Sequence, residues 1–196
     1  DADVVLALSE EQLAETAIRF YNDTFSMDQN ACACPRAVFW RESSPKAGEA
    51  AAGRFWQALA QTAKRYGLTE HKVSVKYGDL WELAAGGGRI AKVRKFENRL
   101  YVTEMKDIPG TASEQRMRFG SFLEYHMKNG EEWIAEVSEK TQALVYFGVE
   151  KQELRECVLH HRLRGTHQIV PVGQTLWMDL VWDGKDMIQL LSRTIR

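Results

Sequence analysis

One stretch constrains the architecture more than any other: a helix, a cysteine loop, an apolar run and a second helix follow in close succession. Ser9-Glu10-Glu11-Gln12 has the form of a capping box, a hydroxyl for an orphan N–H with Gln three residues on. Leu13, Ala14, Ala17, Ile18 and Tyr21 then repeat at helical spacing. The segment Asp28-Gln29-Asn30-Ala31-Cys32-Ala33-Cys34-Pro35-Arg36 breaks that pattern, and Ala37 to Arg41 reads as a short buried strand. Ser44-Pro45 opens the next helix, with Pro at the first helical position. Ala47, Ala51, Phe55, Ala58, Leu59 and Thr62 form its apolar stripe, and Gly67 is its stop. A thiol in a loop after a helix and before a strand is where α/β enzymes often place a nucleophile. Cysteine attacks as thiolate, and a polar, partly exposed loop lowers its pKa. The plain alternative is a small buried hydrophobe with no chemistry.

Further along, Val73 to Tyr77 reads as a strand, and Gly86-Gly87-Gly88 as a turn between strand-like pieces, Leu80 to Ala84 and Arg89 to Lys95. Tyr101 to Met105 and Arg118 to Tyr125 are further strands. Asn129 caps a helix through Glu139, Leu144 to Phe147 is a strand, Lys151 to Arg164 is a helix ended by Gly165, and Ile169 to Val172 is the last strand. This alternation predicts an α/β fold, a largely parallel sheet flanked by helices, in one domain spanning residues 1–196.

Composition narrows the function classes. A formal charge of −1 offers no global field for nucleic acid or an anionic membrane. No run of about 18 apolar residues is present to span a bilayer. Residues Asp1 to Glu10 lack the basic and apolar regions of a secretory signal. Three cysteines cannot all pair, which favours a reducing, cytoplasmic setting.

Other constellations are weaker. Cys32 and Cys34 form C-x-C, but His126 and His160-His161 are distant, so metal binding is disfavoured. Cys157 falls on an apolar helix face and reads as core. The triple glycine lacks the residues of a phosphate loop. His126 is a candidate base for Cys32. Lys92, Arg94, Lys95 and Arg99 read as a solvated strand face, with contact to cofactor or CoA phosphates as the alternative. Most of the six tryptophans are expected in the core.

Asn30-Ala31-Cys32, followed shortly by Pro35-Arg36, resembles the nucleophile loop of the aldehyde dehydrogenase superfamily. The version Asp28-Gln29-Asn30-Ala31-Cys32 with Pro35 more closely resembles the acyl-CoA reductases of the bacterial luminescence (Lux) fatty-acid reductase type. Ile169-Val170-Pro171-Val172-Gly173, Trp182 to Ile188 and Leu191-Ser192-Arg193 are similar to that family's C-terminal signature, and Asp1-Ala2-Asp3 and Phe119-Gly120 match further superfamily positions.

The resemblance implies an aldehyde-dehydrogenase-like catalytic domain that reduces a fatty acyl-CoA, or an acyl-protein thioester, to aldehyde with NADPH. Cys32 would be nucleophile and backbone oxyanion donor, while Asn30 shapes the loop and Arg36 helps fix it. It also implies possible acyl-transferase or synthetase subunits as partners and a possible homo-oligomer. A nucleotide-binding region, a general-base Glu and a second oxyanion donor are expected upstream of Asp1. Met117 departs from the superfamily pattern, which often has Glu two residues before the Phe-Gly pair. Two other readings stay open: a cysteine-dependent acyltransferase or thioesterase without hydride transfer, and a non-catalytic interaction domain of an acyl-processing complex.

Overall fold

A computed structural model describes residues 1–86, 89–108, 115 and 117–193. Six helices and eight strands are described. They run α1 (Ala2–Ala7), α2 (Glu10–Thr24), β1 (Ala37–Arg41), α3 (Pro45–Ala63), α4 (Glu70–Ala85), β2 (Ile90–Phe96), β3 (Leu100–Met105) and β4 (Ser121–Met127). Then come β5 (Ala143–Tyr146), α5 (Lys151–His160), β6 (Gln168–Pro171), β7 (Val181–Trp182), β8 (Lys185–Asp186) and α6 (Met187–Leu191).

The main sheet has the order β1-β4-β3-β2. β4 is parallel to both neighbours, while β2 returns antiparallel to β3, so the sheet is mixed and mostly parallel. β5 and β6 form a separate parallel pair connected through α5, the crossover that a strand–helix–strand segment favours. The fold is therefore mixed α/β with helices flanking the sheet.

Both capping signals hold. Ser9 and Gln12 exchange the reciprocal bonds of a capping box, and Ser44 caps α3 with Pro45 in its first turn. The buried face of α2 is Leu13, Ala17 and Phe20 rather than the stripe through Ala14 and Ile18, which face solvent. That face packs on Phe55, Trp56 and Leu59 of α3 and on Trp40, Val102 and Phe122 of the sheet. A second cluster, around Leu83, Met105, Met117, Leu123 and Tyr125, covers the sheet's opposite face. A third gathers Met127, Trp133 and Val158.

Three local expectations fail for identifiable reasons. Val73 to Tyr77 and Leu80 to Ala84 are not strands; both lie in α4. Thr69 caps that helix, and its inward face carries Lys76, Asp79 and Leu83, so two charged residues disguise a helical stripe as strand alternation. Asn129 does not open a helix through Glu139. Its side chain accepts from Glu131 N–H in a local turn, and only a 3-10 segment, Glu132–Glu136, follows. α5 ends at His160, short of Arg164, and Arg162 already has φ 51°. Gly165 serves close approach instead: a Cβ there would lie 1.6 Å from the Ser138 carbonyl oxygen. Of the triple glycine, Gly86 caps α4, and Gly87 and Gly88 lie outside the described residues. Trp40, Trp56 and Trp133 are core, whereas Trp81, Trp177 and Trp182 are exposed.

Candidate functional site

The cysteine loop begins where α2 runs into a 3-10 turn, Phe25–Met27. Asp28 and Gln29 then both take positive φ, 55° and 56°, which reverses the chain. Non-glycine residues rarely adopt this conformation, and it persists only where surrounding bonds fix it. Those bonds are present. Asp28 Oδ1 accepts from Lys72 Nζ at 2.8 Å and from the Tyr66 hydroxyl. Burial alone would raise the Asp28 carboxyl, but the hydrogen bonds from Lys72 and Tyr66 hold it below its ordinary value.

Gln29 is buried and uses its whole amide. Its Oε1 accepts from Gly120 N–H at 2.7 Å and Ser121 N–H at 3.2 Å; its Nε2 donates to the Pro35 carbonyl at 3.2 Å and the Ser121 carbonyl at 3.0 Å. One side chain thus joins the start of the cysteine loop, its end, and the Phe119-Gly120 turn before β4. Gly120 has φ 84°, and a Cβ there would lie 2.4 Å from the Arg99 carbonyl oxygen. The turn therefore needs glycine. The Asp28 carbonyl accepts from Phe119 N–H at 3.3 Å and the Arg36 carbonyl from Leu123 N–H at 3.0 Å, so one flank of the loop is held by the turn before β4 and the other by β4 itself.

Cys32 stands exposed at the tip of this clamped loop, and Cys34 is buried. Cys34 N–H donates to the Ala31 carbonyl at 3.1 Å, closing the turn. Burial pushes the Cys34 thiol up, which removes it further from thiolate chemistry. Among the described residues the backbone N–H of Cys32 has no hydrogen-bond acceptor. That N–H can meet an oxygen developing negative charge beside its own sulfur. Asn30 is exposed, and its backbone N–H donates to the Met27 carbonyl; the side chains that shape the loop are those of Asp28 and Gln29.

His126 is not brought to Cys32. It pairs with Trp40 near the far end of β1, and its Nδ1 lies 2.6 Å from Glu42 Oε2. The basic cluster is largely spent. Arg94 meets Glu124, Lys92 lies 3.5 Å from Glu49, Arg99 pairs with Glu97, and Lys95 sits over the rings of Tyr77 and Tyr101. Glu124 is fully buried, and its Oε1 also accepts both indole N–H groups, Trp40 at 2.8 Å and Trp56 at 2.6 Å. Cys157 is half-buried and lies with Glu131 and His161 among donors within 4.8 Å of one another, whereas Cys32 and Cys34 belong to no such group among the described residues. Met117 is packed in the second core cluster, and Arg116 lies outside the described residues.

The first of the C-terminal motifs docks on the end of α2. Asp23, late in α2, accepts from Gly173 N–H at 2.6 Å and Thr175 N–H at 3.1 Å. Trp182 to Ile188 forms the β7–β8 hairpin, turned at Asp183 and Gly184 with φ 50° and 73°, and leads into α6. No family model matches the chain, and no curated protein matches it.

Proposed function

We propose that the protein is an acyl-CoA reductase of aldehyde dehydrogenase type, converting a fatty acyl thioester to aldehyde through an S-acyl intermediate on Cys32. The observation that carries this reading is the contrast between two neighbouring thiols: Cys32 is presented to solvent on a braced loop with a free N–H, and Cys34 is buried with its thiol pushed up. In the acylation step the Cys32 thiolate attacks the thioester carbonyl carbon and forms a new C–S bond. The carbonyl oxygen becomes an oxyanion, for which Cys32 N–H is a donor in place. Collapse of that intermediate breaks the bond to the CoA sulfur, and CoA leaves as a thiolate that takes a proton from water. Thiolate suits both events because it attacks well and leaves well.

The overall reaction takes a hydride from NADPH. Among the described residues no glycine-rich turn opens a helix at a strand end, the usual pyrophosphate cradle. Arg94, Lys95 and Arg99 are already engaged. These residues do not fit the cofactor. That same observation favours the second reading, a cysteine acyltransferase or thioesterase without hydride transfer. Adding acyl-CoA and NADPH to the protein and following nicotinamide absorbance separates the two. Acyl-dependent oxidation of NADPH supports the reductase; CoA release with no oxidation supports acyl transfer or hydrolysis.

The tail offers an assembly surface for the homo-oligomer or acyl-processing partner that the resemblance implies. Trp177, Met178, Leu180, Ile188 and Leu191 are all exposed, an unusual run of large apolar side chains for a free surface. No helix among the described residues is long and apolar enough to cross a membrane.

A further inference from the structure

The end of α5 presents a thiol and an imidazole together. Cys157 and His161 stand four positions apart, so one helix face carries both. The helical bond between them is made: His161 N–H donates to the Cys157 carbonyl at 3.0 Å. Glu131 reaches this face from the turn after β4, and that turn is fixed by its own bonds. Glu131 N–H donates to the Asn129 side chain at 3.2 Å, and its carbonyl accepts from Ile134 N–H at 3.0 Å. The Trp133 indole donates to the Gly130 carbonyl at 3.1 Å. Trp133 and Val158 share the third core cluster, with Cys157 packed against it, so turn and helix are joined beneath the three side chains.

The spacing of these groups suits a shared ion better than a direct contact. The Cys157 sulfur, a His161 ring nitrogen and a Glu131 carboxylate oxygen all lie within 4.8 Å of one another. His161 Nε2 stands 3.6 Å from Glu131 Oε2, too long for a hydrogen bond. Two ligands bonded to one tetrahedral zinc at about 2.0–2.3 Å sit roughly 3.4–3.6 Å apart. Glu131 and His161 are exposed and Cys157 is half-buried. An ion can therefore arrive from solvent, and the two exposed side chains close the remaining gap by rotating about their own bonds. Among the described residues no Lys or Arg pairs with Glu131. The cluster of Glu104, Glu124 and His126 differs in this respect, because Arg94 already lies on Glu124 and 3.9 Å from Glu104.

We propose that Cys157, His161 and Glu131 form a zinc site, with three protein ligands and a fourth position open to water. Thiolate and imidazole select zinc over Mg²⁺ and Ca²⁺, which take oxygen ligands. Binding forms one bond each to Cys157 Sγ, His161 Nε2 and a Glu131 oxygen. The thiol proton passes to water, and His161 binds as the neutral imidazole. The ion ties the turn after β4 to the end of α5. It uses a thiol other than Cys32, so the site stands whether or not Cys32 takes an acyl group.

The test titrates the metal-stripped protein with Zn²⁺ against a chromophoric chelator, and with Co²⁺ read by absorbance. The site predicts stoichiometric Zn²⁺ binding at micromolar affinity or tighter. Co²⁺ should give the visible bands of four-coordinate cobalt and a thiolate-to-cobalt charge-transfer band. Cys157→Ser should remove the charge-transfer band. His161→Ala and Glu131→Gln should each weaken Zn²⁺ binding at least about tenfold, the least that losing even an outer-shell partner costs. Both side chains are exposed, so these two variants should keep the wild-type circular dichroism. Cys32→Ser should bind both metals as the wild type does. No binding up to millimolar Zn²⁺, a charge-transfer band that survives Cys157→Ser, affinity unchanged in both His161→Ala and Glu131→Gln, or binding lost in Cys32→Ser would each overturn the proposal.

Discussion

The side-chain oxygen of Gln29 accepts the backbone N–H of Gly120 at 2.7 Å. Ninety-one positions separate the two in sequence, yet this bond and its three companions fix the loop that carries Cys32. Every donor and acceptor of the Gln29 amide is used, and its partners are backbone groups inside the protein.

Gln29→Leu removes four buried hydrogen bonds to backbone, with Ser121 N–H keeping the Arg118 carbonyl as a partner. The expected cost is about 2–4 kcal/mol in urea unfolding, the range for several buried polar groups orphaned together. Any acyl transfer to Cys32 should fall as well, because the loop loses its brace. Gly120→Ala should be comparably damaging, since it forces a Cβ against the Arg99 carbonyl at positive φ.

The two loop thiols should separate under alkylation. Iodoacetamide is expected to label Cys32 first in the native protein, with Cys34 labelled only after unfolding, as burial both hides Cys34 and raises its thiol. Peptide mapping of the alkylated protein checks this. Cys34→Ser should leave acylation largely intact, whereas Cys32→Ala should abolish it.

Lys76 is fully buried and donates to the carbonyls of Asn98 and Arg99 at 2.7 and 3.0 Å, with its ammonium over the Tyr101 ring. Burial and the nearby charge of Lys95 lower it from 10.5 to about 7. Between those values the unfolded chain binds a proton that the folded chain does not, so stability contributed here is full above the unfolded value and lost as pH falls to about 7. The limiting slope is about 1.4 kcal/mol per pH unit. Denaturant unfolding of the wild type should show stability rising from pH 7 to 9, and Lys76→Met should flatten that rise.

Glu124 holds two indoles and Arg94 on one buried carboxylate. Glu124→Ala strands both indoles and leaves Arg94 with only the more distant Glu104 at 3.9 Å, and its expected cost is about 3–5 kcal/mol, read as a drop in the urea midpoint. Replacing His126 by Gln should not affect acylation of Cys32, because His126 faces Glu42 and not the cysteine loop.

Legibility in the sequence followed the range of the interactions. β1 was readable to the residue because a short apolar run between a loop and a Ser-Pro start leaves few options. The α2 capping box was readable because all its bonds lie within three residues. α4 was hidden because Lys76 and Asp79 occupy its inward face, where periodicity expects apolar residues. Cys32 stood out as a residue type in a telling place. Gln29 did not, since a buried amide bonding to backbone leaves no pattern in the chain. The parallel pairings of β4 with β1 and with β3 join distant segments, to which local sequence is blind.

The most direct test of the account is intact-mass and peptide mapping after incubation with palmitoyl-CoA. One acyl adduct is expected, on Cys32, labile to hydroxylamine. An adduct on Cys34, or no adduct at either cysteine while CoA is released, would contradict it.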